Sequence, residues 1–82
     1  MRRDFAGMRA RAALVMLHAE SAQRCHDRGD NLGAVYQSVI AAENATVAEI
    51  YARRAYGLPV TQQHAALREI GAARRLATRA IH

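Results

Sequence analysis

The sequence contains no lysine and no tryptophan, and it has one cysteine, one proline and one phenylalanine among 82 residues. The single cysteine, Cys25, excludes an internal disulfide and favours a reducing, cytoplasmic setting. No run approaches the roughly 20 apolar residues that a membrane-spanning helix requires. Asp4 follows the basic Arg2 and Arg3 before any apolar run begins, so we expect neither a signal peptide nor a membrane partner.

Alanine, in contrast, is unusually frequent, at 19 residues. Because alanine is the best helix former and proline is nearly absent, the composition predicts an all-α chain. A chain of this length allows one domain at most, which we place over residues 1–82. Such a short chain without disulfides often gains stability from a partner subunit, so we expect a homodimer formed through the first two helices.

Apolar residues at three- and four-residue steps predict a three-helix bundle. The predicted helices span residues 3–28, 31–56 and 62–80, and the short connections make consecutive helices antiparallel neighbours. Gly71 falls inside the third helix, where we expect a close helix crossing to offset the cost of a glycine.

The predicted helix ends depend on five residues. Gly29 is suited to a left-handed cap after the first helix. Asp30 is a predicted N-cap for the second, because its carboxylate can accept from a free backbone N–H. Gly57 and Pro59 are predicted to stop the second helix, and Thr61 to cap the third.

Each predicted helix has an apolar face that we expect to form the core. In the first helix this face comprises Phe5, Met8, Ala12, Val15, Ala19 and Ala22. In the second it comprises Leu32, Val35, Tyr36, Val39, Ile40, Val47, Ile50 and Tyr51. In the third it comprises Leu67, Ile70, Ala73, Ala77 and Ile81.

A carboxylate interrupts the predicted apolar face of the second helix. Glu43 lies between Ile40 and Val47 in this stripe, and Asn44 lies beside it. A buried carboxylate needs a partner, so two interpretations remain. Glu43 either reaches solvent at the margin, or Glu43 and Asn44 form a polar position at a helix–helix or dimer interface, paired with an arginine.

Positive charge is concentrated at the C-terminal end of the chain. Residues 1–52 hold six arginines and six acidic residues, whereas residues 53–82 hold six arginines and a single acidic residue. Arg68, Arg75 and Arg79 share one face of the third helix. The arginines at this end either form a solvated surface and interact favourably with the helix dipoles, or they bind RNA or an acidic protein. The candidate binding residues are Arg53, Arg54, Arg68, Arg74, Arg75 and Arg79.

The second and third helices also resemble a known family. The run Gly-Ala-Val-Tyr-Gln-Ser-Val-Ile-Ala-Ala-Glu-Asn-Ala at 33–45 leads to Tyr-Gly-Leu-Pro at 56–59. A helix that opens with Gln-Gln-His-Ala-Ala-Leu at 62–67 follows. This arrangement is similar to the HEPN superfamily (higher eukaryote and prokaryote nucleotide-binding domains). Members usually have four or five helices, whereas this sequence predicts three.

The resemblance implies two candidate catalytic pairs. Active HEPN ribonucleases carry an arginine and a histidine a few residues apart, and each subunit of a dimer contributes one pair to a shared cleft. Arg75 and His82 match this spacing, as do Arg11 and His18. Histidine would act as the acid–base and arginine would stabilise the phosphate, without a metal or other cofactor.

We therefore favour a non-enzymatic, HEPN-like interaction module whose basic C-terminal helix contacts RNA or an acidic protein. One alternative is a metal-independent endoribonuclease of the HEPN kind. Another is a structural or inhibitory component of a larger assembly.

Overall fold

The computed structural model describes residues 2–54 and 59–81, with side chains from residue 6 onward. These residues form three packed helices, α1 (Arg2–Asp27), α2 (Asn31–Arg53) and α3 (Val60–Arg79), and the described part of the chain contains no strand. The predicted all-α, three-helix architecture is confirmed.

A three-residue turn joins α1 to α2, and both of its predicted capping residues are confirmed. Gly29 has φ 79°, a left-handed conformation that glycine adopts without strain. Its N–H donates to His26 O and the next N–H donates to Cys25 O, which closes the end of α1. Asp30 then accepts a hydrogen bond from Gly33 N–H at 2.9 Å and so caps α2.

The start of α3 differs from the prediction, because Thr61 is not its cap. Pro59 occupies the N-cap position, and its side chain makes no capping hydrogen bond. The carbonyl of Pro59 accepts from the N–H groups of Gln62 and Gln63, so the helix begins before Thr61. α2 ends at Arg53, earlier than predicted, and Gly57 lies outside the described residues.

α1 and α2 pack as antiparallel neighbours along most of their length. Two hydrogen bonds between side chains fix the pairing: Arg11 donates to Asn44 at 3.1 Å, and His18 pairs with Gln37 at 2.6 Å. From the first pair to the second, the residue number rises by seven on α1 and falls by seven on α2. The two helices are therefore antiparallel. α1 alone spans about 39 Å at 1.5 Å per residue, which explains the elongated shape of 44 × 19 × 13 Å.

The side of α2 that faces the core contains small residues, and the prediction for this helix is wrong. The large apolar residues predicted to lie inside are exposed at Leu32, Val35, Tyr36, Val39 and Ile50. Ile40, Val47 and Tyr51 are half-buried. The buried stripe instead comprises Ala34, Ser38, Ala41, Ala45, Ala48 and Ala52.

Close helix packing explains this orientation. The distance between packed helices depends on the side chains at the contact, and small residues allow the shortest approach. The core cluster combines Ala41, Ala45, Ala48 and Ala52 of α2 with a few larger side chains from the other helices, Met8, Val15 and Ile70. The buried residues of α2 recur at alternating steps of four and three, the spacing of a helix–helix seam.

The C-terminal part of α3 contacts α2 through buried small residues. Ser38 Oγ donates to the backbone carbonyl of Ala77 at 2.9 Å, and both residues are buried. The inner face of α3 is confirmed for Ile70, Ala73 and Ala77, whereas Ile81 is exposed and Ala80 is buried. The inner face of α1 is confirmed for Met8, Val15, Ala19 and Ala22, and Ala12 is half-buried against the core. The Phe5 side chain lies outside the described residues.

The tight glycine contact lies in α1 rather than at Gly71. A Cβ added at Gly7 would meet ring atoms of Tyr51 at 3.1 Å, so this glycine allows the tyrosine to pack against the backbone of α1. At Gly71 an added Cβ would meet only Arg75 Nη1, at 3.5 Å, which is ordinary contact distance. Among the described residues, the close helix crossing expected at Gly71 is therefore not observed.

Candidate functional site

An exposed apolar surface covers the N-terminal half of α2. We define the outer face of α2 as Leu32, Val35, Tyr36 and Val39, whose exposed fractions are 86%, 47%, 65% and 50%. The spacing of these residues places them on one side of the helix, opposite the buried alanines. Single exposed apolar residues are ordinary, whereas these four neighbours form a contiguous apolar patch on one helix face.

The C-terminal end of α3 extends this surface. Ile81 is 42% exposed and lines a small depression together with Val39, and it lines a second depression with Val35. The apolar surface therefore continues from α2 onto the end of α3. Sequence reasoning missed this surface, although the four–three spacing of small residues on α2 carries the signal for it.

Glu43 and Asn44 are adjacent in sequence, but Glu43 is exposed and Asn44 is buried. Glu43 is exposed and follows the outer face toward the C-terminus of the helix, as the first interpretation of its position expected. Asn44 is buried, accepts from Arg11 and donates to the carbonyl of Ile40 at 2.9 Å. Asn44 therefore satisfies its polar groups within the chain, and its arginine partner belongs to α1.

Arg11 and His18 each contact a different residue of α2. Arg11 binds Asn44 and half-buried His18 binds Gln37, one heptad away. Their geometry gives each of them a packing role at the margin of the α1–α2 contact.

Three arginines point away from the bundle along α3. We define the arginine surface as Arg68, Arg75 and Arg79, which are all exposed and lie opposite the buried residues of the helix. None of the three forms an ion pair or hydrogen bond with another side chain that the structure describes. Their guanidinium groups are consequently available to an external anion.

Arg74 differs from the other basic residues predicted as binding residues. Its Nη2 lies 3.2 Å from Glu49 Oε1 and donates to Thr46 Oγ1 at 3.2 Å, so it joins α3 to α2. Arg74 also lines, with Arg75, Thr78 and Arg79, an open depression of about 410 Å³. Its position is therefore held by intramolecular contacts at the edge of the arginine surface.

Two further predicted site residues lie at the end of a helix. Arg53 and Arg54 are exposed at the C-terminal end of α2. His82, the predicted partner of Arg75, lies outside the described residues. Cys25 is buried, and Arg28 Nη2 lies 3.4 Å from its sulfur.

Within 2–54 and 59–81, no group of three His, Cys, Asp or Glu side chains is close enough together to hold a metal ion. No helix in the same ranges has the apolar length to span a bilayer.

Comparison with protein-family models, with curated proteins and with solved structures finds no match. The HEPN resemblance consequently stays a prediction from the residues that carry it.

Proposed function

We propose that this chain is a small, non-enzymatic helical interaction module, HEPN-like in kind, whose arginine surface contacts RNA. The observation that carries the proposal is the alignment of Arg68, Arg75 and Arg79 on the solvent face of α3, without intramolecular ion pairs among the described residues. Guanidinium groups suit phosphate because their planar fork donates paired, charge-assisted hydrogen bonds.

The spacing of the arginines supports contact with a chain of phosphates rather than with one anion. Arg75 and Arg79 are one turn apart, about 6 Å along the axis, and Arg68 lies about 10.5 Å before Arg75. The depression beside Arg74, Arg75 and Arg79 adds a concave surface next to two of them. A flexible single strand can follow such a row of cationic groups.

We further propose that the module acts as a homodimer. The outer face of α2 supports this, because a chain that buries alanine and exposes leucine, valine and tyrosine gains apolar burial by association. The endoribonuclease alternative gains no support from Arg11 and His18, since both are engaged with α2. Arg75 and His82 remain its candidate pair.

Binding to a labelled single-stranded RNA tests the proposal. The informative comparison is Arg75→Gln/Arg79→Gln against Arg24→Glu, because both changes lower the formal net charge from +5 to +3. Arg24 is exposed on α1, a different helix from the one that carries the arginine surface. We expect the double variant to lose about tenfold or more in affinity and the control to lose much less.

Salt dependence provides a second measure in the same experiment. A single strand contributes a slope of about 0.7 in log K against log salt for each neutralised phosphate. The double variant should therefore lower the slope by about 1.4. Equal losses in both variants contradict the proposal, and equal affinity for polyglutamate favours an acidic protein partner. RNA cleavage that disappears in His82→Ala favours the endoribonuclease.

A further inference from the structure

The outer face of α2 is bounded by opposite charges. Arg28 lies in the turn before α2, with 63% of its side chain exposed, and contacts Asp30 at 3.7 Å. Glu43 is exposed one turn beyond Val39 and has no ion-pair partner among the described residues. The surface therefore begins at a guanidinium, continues over four apolar side chains and ends at a carboxylate.

This order of residues is complementary to itself when a second copy runs in the opposite direction. A twofold axis that crosses α2 between Val35 and Tyr36 places these two residues opposite each other's copies. The same axis places Leu32 opposite Val39 of the second copy. It also brings the turn that holds Arg28, whose Nη2 contacts Asp30 and Cys25 Sγ in its own chain, toward Glu43 of that copy. A closed dimer uses one patch twice in this way, so each favourable pair occurs twice.

We propose that the outer face of α2 is the interface between two copies of this chain, paired antiparallel about an axis between Val35 and Tyr36. Apolar contact at the centre supplies the burial, and the Arg28–Glu43 pairs at the rim fix the direction and register. Ile81 borders the face beside Val35 and Val39 and extends the apolar contact. This inference rests on the proposed homodimer and specifies its surface and geometry.

Sedimentation equilibrium of the purified chain, from low micromolar to several hundred micromolar, first tests association itself. We expect a mass twice that of the 9.0 kDa chain at the higher concentrations. A monomer throughout this range overturns both the homodimer and the interface. A dimer leaves the surface to be tested by substitution, so the two failures are distinguishable.

A charge swap then tests the register. Glu43→Arg places like charges together twice, and we expect the dimer dissociation constant to rise about tenfold or more. Glu20→Arg is the matched control, because it makes the same charge change at an exposed position on α1. The double variant Arg28→Glu/Glu43→Arg restores opposite charges and should recover most of the lost affinity.

Apolar variants test the surface without changing charge. We expect Leu32→Ser/Tyr36→Ser to be monomeric at concentrations where the wild type is dimeric. Leu17→Ser, at an exposed apolar position on α1, should remain dimeric. Far-UV circular dichroism checks that every variant stays helical. A dimer that is insensitive to the α2 changes, or a charge swap without recovery in a helical variant, overturns the proposed interface.

Discussion

At the scale of single residues, short polar contacts determine where α2 begins and how it is aligned on α1. Asp30 and Asn44 have no large apolar area to bury, and each acts through hydrogen bonds. Asp30 satisfies a backbone N–H in the first turn, and Asn44 joins Arg11 to the Ile40 carbonyl.

The two residues predicted as helix N-caps, Asp30 and Thr61, provide a direct comparison. Asp30→Ala removes a cap that accepts from Gly33 N–H and should lower the free energy of unfolding by about 1 kcal/mol. Thr61→Ala alters an exposed residue inside α3 and should change it by less than about 0.5 kcal/mol. Urea unfolding followed by circular dichroism measures both. A larger loss for Thr61→Ala contradicts the observed start of α3.

Asn44 is buried, so the loss of its hydrogen bonds should lower the free energy of unfolding. Asn44→Leu leaves the Arg11 guanidinium and the Ile40 carbonyl without this partner, and the side chain is only 8% exposed. We expect a loss of about 1–3 kcal/mol in the free energy of unfolding, measured by urea denaturation. Gln62→Leu, at an exposed position of α3, is the control and should remain close to wild type. Equal stability of the two variants contradicts a structural role for Asn44.

At the scale of helices, the sequence predicted the number and approximate position of the elements but not the rotation of α2. Gly29 and Asp30 mark the first connection unambiguously, because their conformational preferences are local. The rotation depends on which of two opposite stripes packs better, which is a property of the whole bundle. Val39 and Ala41 belong to opposite stripes, and residue hydrophobicity favours the wrong one.

The basic residues show the same limit at the α2–α3 contact. The concentration of positive charge placed Arg74 and Arg75 on one predicted binding surface. In the structure Arg74 contacts Glu49 and Thr46 of α2, whereas Arg75 is exposed. Which of two adjacent arginines faces the neighbouring helix depends on the angle of α3. The exposed positions of Arg68, Arg75 and Arg79, in contrast, follow from helical spacing alone.

Adjacent arginines therefore have different predicted effects on stability. Arg74→Met removes contacts with Glu49 and Thr46 across the α2–α3 contact and should lower the free energy of unfolding by about 1 kcal/mol. Arg75→Met should change it by less than about 0.5 kcal/mol, because this side chain is exposed. Thermal unfolding of both variants measures the difference. A greater loss in Arg75→Met contradicts the assignment of Arg74 as the interhelical residue.

At the scale of the whole molecule, two surfaces have separate chemical characters. The outer face of α2 is apolar and lies beside the end of α3, whereas the arginine surface lies on the solvent side of α3. Association through α2 leaves the arginine surface of each copy exposed. In the proposed dimer, two copies would present two cationic surfaces, and the proposed binding to a long RNA would be strengthened because the second site acts at a raised effective concentration.

The orientation of α2 determines both the core and the proposed interface, and two stability measurements test it together. They compare Ala41→Leu with Val39→Ala in the Glu43→Arg background, where association is expected to be weak. We predict that Ala41→Leu overpacks the core and loses about 1–3 kcal/mol, while Val39→Ala stays within about 0.5 kcal/mol. A loss of about 2 kcal/mol for Val39→Ala, with Ala41→Leu tolerated, would show that the large side chains of α2 face the core.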